Sequence, residues 1–342
     1  MRSPSDTGGE SGGAALTPAA ARAFRDTALA VEGAVAASVV GQAEAVRGAL
    51  LCLIAGGHAL LEGAPGLGKT TMVRGFASAL DLPYSRIQFT PDLMPADITG
   101  TTVLLEDAAG SPRLSFQPGP VFAGLVLADE INRASPRTQS ALLEAMQEGT
   151  VTIAGVTHPL PQPFCVMATQ NPVEMHGTYP LPEAELDRFF FKLRFEFPSQ
   201  VELSRIVSET AGEPVPGARP QADAEQLRRM RALASRVRAS GEILDYVCRL
   251  VLALQPGADA AAPVRDFVRL GPSPRGALTL SLAGRITALL DGRDHLAAED
   301  IRAVALPGLR HRLVLSFDAE RHAVTAEEII SDALARVPTR GA

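Results

Sequence analysis

His58-Ala-Leu-Leu-Glu-Gly-Ala-Pro-Gly-Leu-Gly-Lys-Thr-Thr71 is the stretch from which the organisation of the whole chain can be worked out. A short apolar run, Ala59 to Leu61, leads into a glycine-rich turn, and a helix is predicted from Thr70 to Leu80. The turn has the Gly-x-x-x-x-Gly-Lys-Thr spacing of a phosphate-binding loop. Because a strand before the turn and a helix after it are the context that this pattern needs, the stretch predicts phosphate binding at a helix N-terminus.

Each residue type of this loop has a chemical reason to be there. Glycines allow backbone dihedrals that a Cβ forbids, so the backbone N–H groups can wrap around an anion. The Lys69 ammonium would reach the β- and γ-phosphates of a nucleotide, and the Thr70 hydroxyl is the hard oxygen ligand that Mg²⁺ takes. The predicted binding set of the loop is Gly63, Ala64, Pro65, Gly66, Leu67, Gly68, Lys69, Thr70 and Thr71.

Two later strands are predicted to end in polar side chains. The apolar run Gly124 to Ala128 ends in Asp129 and Glu130, as expected of a strand buried on both faces of a parallel sheet. Open α/β sheets bind ligands at the carboxyl ends of their strands. Asp129 is therefore a candidate Mg²⁺ ligand, directly or through water, and Glu130 is a candidate to orient an attacking water. The run Phe164 to Thr169 leads to Asn171, which could bond a γ-phosphate or cap a turn.

Two arginines lie where a guanidinium could meet phosphate. Arg188 precedes the predicted last strand, Phe189 to Phe195, and could offset phosphoryl charge in a neighbouring subunit. From the residues alone, a plain salt bridge is the preferred interpretation of Arg188. Arg275 lies in the first turn of a predicted helix, where a cation is mildly unfavourable. This mismatch predicts that Arg275 faces an anion, with a phosphate across a domain cleft as the candidate.

Composition and charge exclude several classes of protein. The chain has 342 residues, which is enough for two domains. Its formal net charge of −6 argues against a protein whose surface as a whole binds nucleic acid. Its three cysteines, Cys52, Cys165 and Cys248, stand in apolar surroundings and are expected to be buried free thiols in a reducing compartment. The chain has no apolar run of membrane-spanning length and no signal-peptide pattern, so the expected location is the cytoplasm.

The order of the predicted elements indicates an α/β fold with a second, smaller and all-helical domain. Two β-hairpin insertions are expected in the first domain, one turning at Asp107 to Pro112 and one at Ala154-Gly155. The first is explained equally well as a surface hairpin and as a partner contact. The expected ranges are a disordered tail over 1–18, a nucleotide-binding domain over 19–198, a linker or hinge over 199–222 and a helical domain over 223–342.

This order of motifs resembles that of the AAA+ ATPases and, more narrowly, that of the MoxR family, from about Gly41 to the end of the chain. The strings that carry the resemblance are long and closely spaced. They are Gly63-Ala-Pro-Gly-Leu-Gly-Lys-Thr70, Gln88-Phe-Thr-Pro-Asp-Leu-Met-Pro-Ala-Asp-Ile-Thr-Gly100, Phe116-Gln-Pro-Gly-Pro120, Ala128-Asp-Glu-Ile-Asn-Arg-Ala134, Thr138-Gln-Ser-Ala-Leu-Leu-Glu-Ala-Met-Gln-Glu148, Ala168-Thr-Gln-Asn-Pro172, Leu186-Asp-Arg-Phe189 and Ser273-Pro-Arg-Gly276.

The resemblance implies an AAA+ phosphate-loop domain, with a parallel sheet flanked by helices, followed by an all-helical lid domain. It implies a homo-oligomeric ring, usually hexameric, with ATP and Mg²⁺ between subunits. Asn171 would then sense the γ-phosphate, Arg188 would be the finger that reaches a neighbour's ATP, and Arg275 would be a second sensor in the lid. Gly41-Gln42 would contact adenine, although a plain turn before a helix explains these two residues equally well.

The resemblance also implies a class of partner. Proteins of this family act as chaperone-like motors, often with a von Willebrand factor A domain protein, and mature or activate a client enzyme or complex. Nucleic acid is not an expected partner. The alternatives are a nucleic-acid-stimulated motor ATPase, a magnesium-chelatase-like ATPase subunit, and a nucleotide-gated scaffold that hardly hydrolyses ATP.

Overall fold

The computed structural model describes residues 16–106, 112–171, 177–210 and 219–339. Three predicted features fall wholly or partly elsewhere. Most of the expected tail, the turn of the first hairpin and the glycine- and proline-rich part of the expected hinge lie outside the described residues.

A parallel sheet forms the centre of the first domain. The strands that the structure describes there are β1 (Ala59–Glu62), β2 (Tyr84–Gln88), β3 (Gly100–Glu106), β4 (Pro112–Pro118), β5 (Leu125–Asp129), β6 (Thr150–Ile153), β7 (Val156–Pro159), β8 (Cys165–Gln170) and β9 (Phe191–Arg194). Five of them pair in parallel in the order β2-β5-β8-β1-β9 within the described ranges. The central strands β5 and β8 are buried on both faces, as their continuous apolar sequences predict.

The register of the sheet brings the predicted site residues to one edge. Gln88 at the end of β2 lies opposite Asp129 at the end of β5. Glu62, which leads into the glycine-rich loop, lies opposite Gln170 at the end of β8. The phosphate-binding loop, the acidic pair and Asn171 therefore all follow strand ends at the same carboxyl edge.

Helices flank this sheet. They are α1 (Pro18–Ala36), α2 (Ala43–Ala55), α3 (Lys69–Ala79), α4 (Pro95–Thr99), α5 (Pro136–Glu148), α6 (Glu183–Leu186) and α7 (Gln200–Thr210). Thr17 caps α1, because its hydroxyl accepts a hydrogen bond from the Ala20 N–H at 3.2 Å. The helix therefore begins within the range expected to be tail. Helix α7 lies within the range 199–222, which was expected to be a linker. The amphipathic spacing of its residues is the sequence signal for this helix.

The second domain is predominantly helical. It contains α8 (Ala224–Ala234), α9 (Gly241–Ala253), α10 (Ala262–Phe267), α11 (Pro274–Leu290), α12 (Ala298–Leu309), α13 (Phe317–Arg321) and α14 (Ala326–Arg336), with the antiparallel strands β10 (Val268–Leu270) and β11 (Val314–Leu315). The expectation of an all-helical domain is therefore wrong in one detail. Strands of two and three residues are too short to produce a detectable alternation in the sequence.

One apolar cluster joins the two domains. It runs from the sheet through α1 and α2 into α11 and α12, and α2 is buried along most of its length. Cys52 and Cys165 are buried free thiols, as expected, whereas Cys248 is exposed and corrects the prediction. Helix α9 buries Tyr246, Val247 and Leu250, so Cys248 falls on its outer face.

Two hairpins extend from the sheet, as predicted. Strands β3 and β4 pair from Gly100 opposite Pro118 to Glu106 opposite Pro112. Strands β6 and β7 pair around the turn Ala154-Gly155, where both φ angles are positive. The Phe116 ring of the first hairpin stacks on the His158 ring of the second, with centroids 4.0 Å apart.

Among the described residues, no helix combines the length and the apolar character that crossing a bilayer requires.

Candidate nucleotide-binding site

The glycine-rich loop has the backbone geometry that its sequence predicts. Gly66 and Gly68 have φ angles of 82° and 89°, in the left-handed region that a side chain disfavours. At Gly63 the limit is space, since a Cβ placed there would lie 2.8 Å from the Phe195 Cβ and 2.9 Å from its carbonyl oxygen. Gly68 is the N-cap residue that precedes α3, so the loop presents backbone N–H groups at a helix N-terminus.

Lys69 lies over this loop. Its ammonium donates hydrogen bonds to the carbonyl oxygens of Gly63 at 2.5 Å and Ala64 at 3.1 Å. Burial lowers the pKa of Lys69, while the nearby carboxylates of Asp129 and Glu130 act in the opposite direction. The ammonium and the two carboxylates therefore share one electrostatic environment.

A threonine outside the predicted site residues holds the acidic pair. The hydroxyl of Thr169, at the end of β8, donates to the Asp129 carboxylate at 2.7 Å and accepts from the Glu130 N–H at 2.8 Å. Thr169 is buried. Asp129 also pairs with the Arg86 guanidinium at 2.7 Å. The signal for Thr169 was its place at a strand end, two positions before Asn171.

The backbone of Glu130 is strained. Its φ of 58° lies in the left-handed region, which costs a residue with a Cβ about 1 kcal/mol or more. Its carboxylate accepts hydrogen bonds from the Gln88 amide at 3.0 Å and from the Arg133 guanidinium at 2.9 Å. The strained backbone and these two donors fix the direction in which the carboxylate leaves the strand end.

The oxygen donors at this edge suit a small hard cation. Thr70 supplies a hydroxyl from the first turn of α3 and is partly buried, and Asp129 supplies a carboxylate from the end of β5. Mg²⁺ prefers such oxygen ligands. Thr71, the next residue of the helix, is exposed. The donor chemistry therefore fits Mg²⁺, with Thr70 and Asp129 as the residues that would hold it.

Asn171 and the Gly41-Gln42 pair lie at the borders of the site. Asn171 is buried just beyond the end of β8. Gln42 is buried, and its side-chain amide donates to the Glu196 carbonyl at 2.8 Å. Gly41 has a φ of 78°, and a Cβ there would lie 3.1 Å from the Glu202 carboxyl carbon. Gly41 and Gln42 are thus packed against the start of α7, and their contact with adenine remains a prediction.

Arg188 and Arg275 lie at the junction of the two domains. The Arg188 guanidinium donates to the Leu143 carbonyl of α5 at 3.2 Å. The Arg275 guanidinium lies 3.7 Å from the Asp187 carboxylate. The expected anion facing Arg275 is therefore present, and in this chain it is Asp187. A single chain brings Lys69, Asp129, Glu130 and Thr169 together, whereas the two arginines belong to the junction.

Comparisons with known proteins agree with this arrangement. Residues 58–191 match the model of the ATPase family associated with various cellular activities, and residues 260–333 match the model of the AAA lid domain. Chaperone MoxR1 of Mycobacterium tuberculosis is 43% identical over 300 residues, which are 87% of this chain and 78% of that protein. YeaC of Bacillus subtilis, described as uncharacterized, is 42% identical over 300 residues, with 87% of this chain and 90% of that protein covered.

A solved structure shares the whole architecture. The crystal structure of a protein from Cytophaga hutchinsonii, described as a candidate ATPase, superposes with a TM-score of 0.85 at 35% identity and covers 93% of this chain and 96% of that one. The predicted α/β fold with a lid domain is thereby confirmed. From the phosphate loop, the acidic strand end, the lid and these relatives together, the chain belongs to the MoxR family of AAA+ ATPases.

Proposed function

We propose that this chain binds Mg²⁺·ATP at the interfaces of a homo-oligomeric ring, usually hexameric in this family, and hydrolyses it as a chaperone-like motor that remodels or matures a partner protein or complex. The observation that carries the proposal is the meeting of Lys69, Asp129, Glu130 and Thr169 at one sheet edge beside the glycine-rich loop. Phosphoryl transfer needs positioning and charge more than covalent chemistry from the protein, and this edge supplies both.

The phosphate-binding step follows from the contacts of Lys69. Its ammonium already lies at the loop, held by two backbone carbonyls that are neutral acceptors. Phosphate oxygens are charged acceptors and form stronger hydrogen bonds with an ammonium. We therefore expect Lys69 to exchange these carbonyls for the β- and γ-phosphates. Mg²⁺ held by Thr70 and Asp129 would offset the remaining phosphate charge.

The hydrolytic step would use the second acidic residue. Glu130 would orient the attacking water, and Thr169 would fix the Asp129 carboxylate relative to the Glu130 backbone, since it bonds both. Asn171 would contact the γ-phosphate or that water. Arg188 would reach the ATP of a neighbouring subunit, and Arg275 would respond to the nucleotide of its own subunit from the lid.

The partner is proposed from the family. The relative named as a chaperone supports action on another protein, and we infer a von Willebrand factor A domain protein and a client enzyme as partners, in the cytoplasm. The net charge of −6 supports a protein client over nucleic acid. Co-purification with Glu130→Gln protein held in ATP tests this. Recovery of nucleic acid that survives moderate salt would favour a nucleic-acid motor instead.

Two substitutions test the ATPase itself. Lys69→Ala should weaken ATP binding by roughly 100-fold, because it removes charge-assisted hydrogen bonds to phosphate. Glu130→Gln should bind ATP as the parent does but hydrolyse it roughly 1,000-fold more slowly. Binding is measured with a fluorescent ATP analogue and turnover by phosphate release. Parent-like turnover by Glu130→Gln would remove Glu130 from its role, and parent-like ATP binding by Lys69→Ala would refute the phosphate-loop assignment.

A further inference from the structure

The four residues Asp187 to Phe190, here called the junction segment, are held by the lid domain. The main contact is Arg312, which follows α12 and has a side chain only 2% exposed. Its guanidinium donates to the Asp187 carboxylate at 2.9 Å and to the carbonyl oxygens of Asp187 at 3.1 Å, Phe189 at 2.8 Å and Phe190 at 3.2 Å. One lid side chain thus bonds the three residues of the segment that flank Arg188.

Other lid residues hold the same segment. The His311 ring donates from Nε2 to the Phe189 carbonyl at 2.9 Å, and burial lowers the pKa of His311 well below its usual value, so the ring is neutral. The Ser273 hydroxyl, at the start of α11, donates to the Asp187 carboxylate at 2.8 Å. These contacts come from two separate parts of the lid, so they fix both the position and the orientation of the segment.

The segment is also tied to the first domain. The Phe190 N–H donates to the His58 carbonyl at 2.7 Å, and Arg188 itself donates to the Leu143 carbonyl through a half-buried side chain. The N–H groups of Asp187, Arg188 and Phe189 donate to carbonyl oxygens of α6, and the Phe189 ring is buried in the core of the first domain. The αβ domain therefore holds the segment through its N–H groups and the Arg188 guanidinium, whereas the lid holds it through its carbonyl oxygens and the Asp187 carboxylate. The segment bridges the two domains, so a displacement of the lid would pull on the backbone that carries Arg188.

The chemistry of Arg312 suits this task. A guanidinium presents five N–H donors in a fixed plane, and here they meet a carboxylate and several backbone carbonyls, including that of Gly308. A lysine ammonium has three donors on a flexible stem and cannot reproduce this planar set. The site requires rigid multipoint attachment, which is more than an ion pair alone would provide.

We propose that Arg312 is a positioning residue that couples the lid to the junction segment, so that lid movement in one subunit shifts Arg188 at the ATP of its neighbour. The inference rests on the proposed function, in which Arg188 acts across the subunit interface. Arg275 lies 3.7 Å from the same Asp187 carboxylate, so the residue proposed to sense a subunit's own nucleotide adjoins the segment that carries its finger.

The test uses mixed rings, in which sites and fingers come from different subunits. Lys69→Ala subunits lack a nucleotide site but keep Arg188, and Arg188→Ala subunits lack the finger but keep the site. Each alone should be inactive. About a quarter of the interfaces in randomly mixed rings then join an intact site to an intact finger, so mixing should restore activity in that proportion.

Arg312→Gln is then placed in one subunit or in the other. In the Lys69→Ala subunit, which supplies the finger, it should lower the restored activity at least tenfold. In the Arg188→Ala subunit, which supplies the site, it should leave the restored activity within about twofold. The two mixtures carry the same substitution at the same dose, so a general loss of folding or assembly affects both equally.

The outcomes test the positioning role of Arg312 separately from the action of Arg188 across the subunit interface. Equal losses in the two placements, or no loss in either, would overturn the positioning role of Arg312. Absence of restored activity in the first mixture would overturn the trans action of Arg188, and with it both the proposal and the inference. If Arg312→Gln rings do not assemble, Asp187→Asn is used in both placements, because it keeps the backbone contacts of Arg312 and removes the charge of the carboxylate that Arg312, Ser273 and Arg275 share. The same asymmetry is expected.

Discussion

The nucleotide edge of the sheet and the domain junction use the same kinds of charged groups in opposite ways. At the nucleotide edge, Arg86 pairs with Asp129 through a side chain that is 47% exposed. At the junction, Arg312 pairs with Asp187 through a side chain that is 2% exposed. Exposed pairs are worth little and can change partners, whereas buried pairs are costly to break. The first region can thus admit a substrate, and the second can transmit a position.

The contrast extends to the other hydrogen-bond partners. Within the described residues, the Lys69 ammonium bonds backbone carbonyls of its own loop, and the Glu130 carboxylate bonds the solvent-accessible side chains of Gln88 and Arg133. Arg312 bonds a carboxylate and backbone carbonyls through a side chain that solvent hardly reaches. The predictions below challenge this difference, beginning with the largest expected effect.

The junction should be the more sensitive region to loss of one charge. Arg312→Met removes the buried cation from the Asp187 carboxylate, which keeps the Ser273 hydroxyl as a donor, and it removes a donor from several backbone carbonyls. It should lower the free energy of unfolding by about 3–5 kcal/mol. Urea unfolding at neutral pH measures this. The double variant Arg312→Met, Asp187→Leu should recover part of the loss, because the unpaired charge is gone. A loss below about 1 kcal/mol would mean that the junction is no firmer than a surface pair.

Acid should weaken the core at the amino ends of the strands, on the side of the sheet opposite the nucleotide edge. Buried His58 accepts from the Val166 N–H and donates to the Met146 carbonyl, and burial lowers its pKa from 6.5 to about 4. The unfolded chain therefore binds more protons between these two values, and stability falls as the pH is lowered through that window. At about 1.4 kcal/mol per pH unit, His58 should cost about 2 kcal/mol at pH 5.

The contribution of His58 is isolated by His58→Gln. This variant keeps a donor and an acceptor but does not titrate in this window, so its urea midpoint should fall less than that of the parent between pH 7.5 and pH 5. An equal fall in both proteins would assign the acid sensitivity to other groups, with buried His311 at the junction as the next to test.

The exposed pair at the nucleotide edge should matter little for folding. Arg86→Met removes the partner of Asp129 but leaves the carboxylate bonded to Thr169, and should change the free energy of unfolding by no more than about 1 kcal/mol. The measurement is the same urea titration as for Arg312→Met, which makes the two substitutions a matched pair. A loss as large as that of Arg312→Met would end the distinction between the two regions.

The smallest effect is expected on the direction of the Glu130 carboxylate. Gln88→Ala removes one hydrogen bond, worth about 0.5–1 kcal/mol, that holds the carboxylate toward β2. ATP hydrolysis without a partner should rise by roughly two- to fivefold, since Glu130 is then easier to turn toward water. Ser85→Ala, on the same strand but bonded to the Pro120 carbonyl, is the control and should leave turnover unchanged. A fall in turnover would instead make Gln88 part of the productive geometry.

The two regions also differ in how well the sequence predicts them. The phosphate loop is contiguous, so its glycines, Lys69 and Thr70 are recognisable from spacing alone, and the acidic pair ends an apolar run that predicts a central strand. Thr169 and Gln88 are single polar residues at strand ends, and their roles depend on which strands pair. Strand order is a property of the folded sheet that a short window does not contain.

The contacts of the junction could not be predicted from the sequence for the same reason. Arg312 and Asp187 are 125 positions apart, and nothing near Arg312 distinguishes it from a surface arginine. The misfit of a cation at a helix N-terminus predicts an anion facing Arg275, with a phosphate as the candidate. In the folded chain Asp187 lies 3.7 Å from the Arg275 guanidinium, and a contact between Arg275 and phosphate stays a prediction.

The stacking of Phe116 on His158 has a mechanical consequence. The two hairpins arise from separate parts of the chain, one after β2 and one after α5, and their strands β3 and β6 also lie in contact. The stacked rings, with centroids 4.0 Å apart, couple the two hairpins so that bending one also displaces the other. Leu104 and Leu114, which pair across the first hairpin, are exposed. A force applied at these leucines is therefore transmitted to the sheet domain through the bases of both hairpins.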